Sequence, residues 1–192
     1  MAEIGLTSQP RRRDFIVQAA GAFVGVGSAA ALWPFIDQMN PNDATPPLAV
    51  TDVDLGPIQP GQAISVLWRG MPVFVRNRTR DEVQHARNTP LAVLPDRFAR
   101  NQALSEKTIA YDTNRTKEGH DNWLVVVGLC THLGCVLRSK DTAGADGAAE
   151  AWFCPCHAAR FDLSGRVRGG PARTNLPVPP YQFLTGGKIR LG

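Results

Sequence analysis

The longest apolar run in the chain covers residues 15–36, where Gln18 and Ser28 are the clearly polar positions among 22 and no residue is charged. About 20 such residues in a helix span the hydrocarbon core of a bilayer. Small residues recur along the run at Gly21, Ala22, Gly25, Gly27, Ala29 and Ala30, a composition that lets helices approach closely. Trp33 sits at the far end, where an indole favours the membrane interface. Two other readings compete. Ala29-Ala30-Ala31 suits cleavage of a signal peptide, and a run of this kind also occurs as a buried core helix.

Arg11, Arg12 and Arg13 precede the run. The positive-inside rule keeps them cytoplasmic and sends the rest of the chain outward. Arg12-Arg13-Asp14-Phe15-Ile16 also resembles a twin-arginine export signal, with Arg11 where Ser or Thr is usual. The expected organisation is a cytoplasmic N-terminus at 1–14, an anchor at 15–36, a Pro-, Asn- and Asp-rich linker at 37–50 and a head at 51–192.

Within the head the pattern turns β-like. Ala63–Trp68 and Met71–Val75 are short apolar runs around Arg69-Gly70, which predicts a hairpin. Residues 77–87 are highly charged and read as a solvated turn or short helix. Residues 91–104 read as a short helical insertion broken by Pro95. Trp123–Val127 and Ala151–Phe153 are strands, each leading into cysteines, and residues 139–150 are a polar surface insertion. Tyr181–Leu184 and Ile189–Leu191 flank a terminal hairpin turn. The fold class is mainly β: an antiparallel barrel or sandwich head behind one transmembrane helix.

Composition changes this picture little. Hydrophobic residues make up 43% and charged residues 20%, which suits a packed core rather than disorder. The pI is about 9.1. Three of the basic residues are the arginines before the apolar run, and no basic stripe interleaved with aromatics appears, so nucleic-acid binding gains no support.

The candidate chemistry lies in two short segments, Cys130-Thr131-His132-Leu133-Gly134-Cys135 and Cys154-Pro155-Cys156-His157. All four cysteines fall between positions 130 and 156, which argues for a metal site, a disulfide or both. Spacing does not fit the C-x4-C-x2-C run of plant-type clusters. A Cys2His2 zinc site is chemically possible but leaves Cys135 and Cys156 idle. Two structural disulfides leave His132 and His157 unexplained, and a catalytic cysteine calls for a solitary activated thiolate. A Rieske centre uses every residue: Cys130 and Cys154 hold one iron of a 2Fe–2S cluster, and His132 and His157 hold the other.

Residues 123–183 closely resemble the Rieske proteins of quinol–cytochrome c oxidoreductases. CTHLGCV at 130–136, CPCH at 154–157 and GGPARTNLPVPPYQF at 169–183 carry the resemblance, and residues 51–79 are similar to that family's first strands. The resemblance implies a base fold, a cluster-binding subdomain at about 124–176 and a hinged tether. It implies a disulfide between Cys135 and Cys156, and a loop at Gly170, Pro171 and Ala172 that covers the cluster. It also implies docking at the quinol site of a cytochrome b subunit, delivery to a c-type cytochrome, and a dimeric complex in a bacterial inner membrane with the head in the periplasm. By correspondence, His157 hydrogen-bonds the quinol and accepts its proton, with His132 as the second ligand histidine at the site. His85 and His120, outside both loops, read as solvated surface residues.

One stretch departs from the family. High-potential members carry Gly-Ser-x-Tyr after the second histidine, where this chain has Ala158-Ala159-Arg160-Phe161. Neither Ala159 nor Phe161 can donate to sulfur, so a lowered potential is expected. The alternative function is a Rieske relay subunit of a periplasmic oxidase of the arsenite-oxidase kind.

Overall fold

A computed structural model describes residues 11–39, 50–139 and 150–192. The chain divides into two compact units, Met1–Pro46 and Pro47–Gly192. The expected linker and the polar insertion fall almost wholly outside the described residues.

In the first unit the described residues form one helix, α1 (Arg12–Asp37). Arg11 is the N-cap, and Asp14, the third helical residue, accepts its backbone N–H at 3.0 Å. At 1.5 Å per residue α1 is about 39 Å long, enough to cross a bilayer. None of its residues is buried, as expected for an apolar helix whose surroundings are lipid or another subunit.

Among its described residues the second unit has ten strands, one short α-helix and two 3-10 turns. β1 (Thr51–Asp54), β10 (Lys188–Leu191) and β9 (Tyr181–Leu184) form one antiparallel sheet in that order. β2 (Ala63–Trp68), β3 (Met71–Asn77) and β4 (Trp123–Val127) form a second. β5 (Arg138–Ser139), β6 (Glu150–Phe153), β7 (Arg160–Asp162) and β8 (Val167–Gly169) form the third, which carries the second cysteine segment. The β2–β3 hairpin turns on Arg69 (φ 50°) and Gly70 (φ 74°). Two consecutive positive φ values define a type I′ turn, whose twist matches the flanking strands.

The second and third sheets meet through aromatic stacking. Phe74 of β3 lies on Trp152 of β6 with ring centroids 4.7 Å apart and planes 1° apart. Gly128 makes room for Phe74: a Cβ there would fall 2.6 Å from its ring. Both rings are buried, and such a pair adds about 0.5–1.5 kcal/mol beyond the area it removes from water.

Residues 80–116, between β3 and β4, are held by buried charge rather than by a sheet. α2 (Arg80–Asn88) is capped by Thr79 and Glu82 and buries Val83 and Ala86. The helical reading of 91–104 is corrected: after one 3-10 turn at Leu91–Val93 no helix follows, Phe98 bridges Ile109, Asn101 bridges Val178 and the chain then turns at 102–104. Pro95 forbids helix continuation, and this short ribbon supplies backbone carbonyls to buried arginines. Arg78 grips Asp112 with two bonds of 2.6 and 3.1 Å. Arg166 pairs with Asp162 at 2.8 Å and reaches the Ala86 carbonyl at 2.7 Å. Arg115, fully buried, donates to the carbonyls of Ala99, Ser164 and Leu176. Burial pushes its guanidinium down to about 10, still far above neutral pH. Three buried arginines thus tie residues 80–116 to the β7–β8 hairpin and to residue 176. Removing one partner of such a pair costs about 3–5 kcal/mol.

Asp96 belongs to the same lattice. Burial alone raises a carboxyl, but hydrogen bonds from Arg100, Asn175 and Phe98 outweigh it and hold Asp96 below its usual 3.8. Its contribution to stability is therefore complete above about pH 4 and is lost as pH falls through its folded value. Asp96→Asn is expected to lower stability at neutral pH, with the gap to the parent narrowing below pH 4. Urea unfolding of both proteins across that range measures it.

Candidate metal centre

The two cysteine segments fold into the same loop. In the first, Cys130 N–H donates to the Cys135 carbonyl and Gly134 N–H donates to the Cys130 carbonyl, both at 2.8 Å. In the second, Cys154 N–H donates to the Ala159 carbonyl at 2.8 Å and Ala158 N–H donates to the Cys154 carbonyl at 3.0 Å. Each loop thus closes one bond from residue n to n+5 and one from n+4 to n. Such a turn needs a left-handed residue at n+4. Gly134 (φ 76°) supplies it in the first loop and Ala158 (φ 57°) in the second. The first loop is set by the Leu129–Val136 bridge, and the second joins β6 to β7.

The loops face each other. Cys135 and Cys156 are disulfide-bonded, with Cα atoms 6.7 Å apart. Cys130 and Cys154 are free and buried, at 2% and 1% exposure. His132 and His157 approach edge to face, with ring centroids 4.9 Å apart. The sequence-derived site residues therefore come together: two thiols inside, two imidazoles beside one another, and a disulfide across the loops. His132 is half-buried and His157 exposed.

This arrangement fits a cluster with mixed ligands. Burial, and then the neighbouring Cys154 thiol, push the Cys130 thiol up, while the backbone N–H groups of His132 and Leu133 pull the other way. A buried Cys130 thiolate is favoured only against positive charge, which iron supplies. His132 Nδ1 is buried and has no hydrogen-bond partner, as a nitrogen reserved for a metal should be. Sulfurs of Cys135, Cys154 and Cys156 also lie within 4.8 Å of one another, but two of these three are spent in the disulfide and offer no thiolate.

A third loop, residues 169–176, touches both ligand loops. A Cβ on Gly170 (φ 84°) would fall 2.6 Å from the Ala159 Cα and 2.8 Å from the Ala158 carbonyl oxygen, so only glycine fits. On the other side, Thr131 Oγ1 donates to the Thr174 carbonyl at 2.7 Å. Thr131 escaped the sequence reading although it lies between two ligand positions, and that placement was its signal. Ala172 is buried and Pro171 exposed. Ala159 and Phe161, the departing positions, are both fully buried, and Phe161 pairs across the sheet with Trp152. His120 is not the solvated residue expected: it is half-buried and stacks on Phe183 at 3.7 Å, while His85 is exposed.

The Rieske [2Fe-2S] domain model matches residues 81–180, and the model described as Ubiquitinol-cytochrome C reductase Fe-S subunit TAT signal matches residues 6–42. The ubiquinol-cytochrome c reductase iron-sulfur subunit of Bradyrhizobium diazoefficiens is 46% identical over 193 residues, covering 100% of both chains. The chain belongs to the family of Rieske iron–sulfur subunits of ubiquinol–cytochrome c reductase. The Rickettsia typhi protein of the same name is 47% identical over 96% of this chain and 94% of its own. A chain from the solved structure titled Hyperthermophilic respiratory Complex III aligns over 91% of this chain at 26% identity with a TM-score of 0.49. The cofactor of this Rieske chain is a 2Fe–2S cluster, and its role is electron transfer. The oxidase-relay alternative is not favoured, because the full-length relatives and the N-terminal match both belong to the respiratory reductase.

A left-handed alanine costs about 1–2 kcal/mol, against about 0.5–1 kcal/mol of extra chain entropy for glycine. Ala158→Gly is therefore expected to stabilise the head by about 0.5–1 kcal/mol, read as a higher urea midpoint with an unchanged slope.

Proposed function

We propose that this chain carries electrons from quinol, bound at a cytochrome b subunit, to a c-type cytochrome. The proposed setting is a dimeric complex of a bacterial inner membrane, with α1 retained as a single-pass anchor, Arg11–Arg13 cytoplasmic and the head periplasmic. Cys130 and Cys154 are the thiolate ligands of one iron, and His132 and His157 the imidazole ligands of the other. The observation that carries this reading is the pairing of two free buried thiols with two neighbouring imidazoles on twin loops.

When bound, the cluster supplies a one-electron acceptor at roughly −150 to +300 mV, because two neutral imidazoles replace thiolates. The chain's own groups set how a quinol meets it. His157 is exposed, so its outer ring nitrogen accepts a hydrogen bond from the quinol hydroxyl and keeps the proton as the electron leaves. His132 is more enclosed and serves as the second ligand histidine. Leu133 and Val136, 69% and 56% exposed beside it, give the tip an apolar rim suited to a desolvated quinol pocket. Gly170, Pro171 and Ala172 limit water from the third side.

Ala159 and Phe161, both buried, carry no hydroxyl with which to stabilise the reduced, more negative state. The proposed potential therefore lies below that of Ser/Tyr-bearing relatives. A redox titration followed by low-temperature EPR tests function and tuning together. The expected result is a rhombic Rieske signal in the parent, and a midpoint raised in Ala159→Ser/Phe161→Tyr by roughly 60 mV per restored bond, taking ~1.4 kcal/mol as 59 mV for one electron. Equal midpoints would sink the tuning account, and the absence of a Rieske signal would sink the function.

A further inference from the structure

The third loop is pinned to the ligand loops at Gly170 and at Thr174, and the residue that follows Thr174 is a buried asparagine. Asn175 is 1% exposed, and its amide reaches three separate backbone positions. Its Oδ1 accepts the Val167 N–H of β8 at 2.9 Å. Its Nδ2 donates to the carbonyls of Asp96 at 3.0 Å and Phe98 at 2.8 Å. Its own backbone N–H donates to Asp96 Oδ2 at 2.9 Å. Asp96 in turn accepts the Phe98 N–H at 3.1 Å and the Arg100 guanidinium at 2.8 Å. One side chain thus joins the loop over the ligands, the strand behind it and the extended segment 96–100.

Among uncharged side chains of this size, only a primary amide fills this place, because the surroundings offer one N–H and two carbonyls. Aspartate would face two carbonyl oxygens with a carboxylate, and leucine would leave three polar groups unpaired. The bonds lie one residue from the Thr174 carbonyl that Thr131 grips between two ligand positions. A shift of Asn175 therefore moves the loop where it meets the first ligand loop.

Building on the iron–sulfur reading above, we infer that Asn175 is a positioning residue for the cluster: it clips loop 169–176 to segment 96–98 and to β8, and so holds that loop closed over both ligand loops. The segment 96–98, and not the cluster-bearing sheet alone, then sets how well the cluster is covered. Asn175 acts through the loop and touches no ligand.

The test uses the intact complex carrying Asn175→Ser. Its control is Asn77→Ser, which removes a buried asparagine of β3 bonded to the Ile58 carbonyl at 2.8 Å and to Asn122 at 2.9 Å. Three quantities are read: thermal stability, the EPR g values of the reduced cluster, and the rate of cluster loss to a ferrous chelator in native buffer. Asn175→Ser is expected to shift the g values and to speed cluster loss about tenfold, as one buried group left unpaired would do. Asn77→Ser is expected to lower thermal stability to a similar degree with parental g values and a parental rate. Parental g values and rate in Asn175→Ser would overturn the inference, and so would equal acceleration in the two variants. If Asn175→Ser does not accumulate, Asp96→Asn loosens the clip from its other side: a smaller acceleration supports the inference and a parental rate overturns it. A parent with no Rieske signal would overturn the underlying reading, and this inference with it.

Discussion

The Cys135–Cys156 disulfide joins the two ligand loops beyond the β5–β6 pairing of Arg138 with Phe153, and the candidate centre depends on keeping those loops face to face. Each loop is a six-residue turn closed by two backbone hydrogen bonds. Alone, each presents one thiol and one imidazole. Held together, they bury the thiols and bring the imidazole centroids to 4.9 Å. The third loop completes the clamp by a glycine contact on one side and a threonine hydroxyl on the other.

The rest of the head works as a mount for these loops. The Phe74–Trp152 stack fixes the strand leading into the second loop against the second sheet. β4 runs into the first loop from that same sheet. Buried arginines carry the load that a small third sheet cannot. Arg115 and Arg166 bond the carbonyls of segments far apart in sequence, and Arg78 with Asp112 closes the group. Ion pairs of this kind are costly to desolvate, and removing one partner costs more still.

Much of this was legible in the sequence. The apolar run announced α1, although the helix begins at Arg12, three residues earlier than hydropathy alone suggests. Arg69-Gly70 announced the type I′ hairpin, and the Cys–His spacing announced the ligand loops. What remained hidden depends on long-range partners. Residues 91–104 looked helical because the carbonyls of Phe98 and Ala99 accept from Asn175 and Arg115, groups distant in sequence, rather than from helix amides. His120 looked solvated because its stacking partner Phe183 lies on the terminal hairpin. The strain at Ala158 is a φ value, and the equivalence with Gly134 becomes visible only when the two loops are superposed in hydrogen-bond pattern.

The central claim is that this chain binds a 2Fe–2S cluster with two thiolates on one iron and two imidazoles on the other. Pulsed EPR of the reduced protein in its membrane complex, read for nitrogen couplings, addresses that ligand set directly. Two strongly coupled histidine nitrogens that fall to one in His132→Cys and to one in His157→Cys are the result this account predicts. A cluster without nitrogen coupling, or zinc in place of iron, would contradict it.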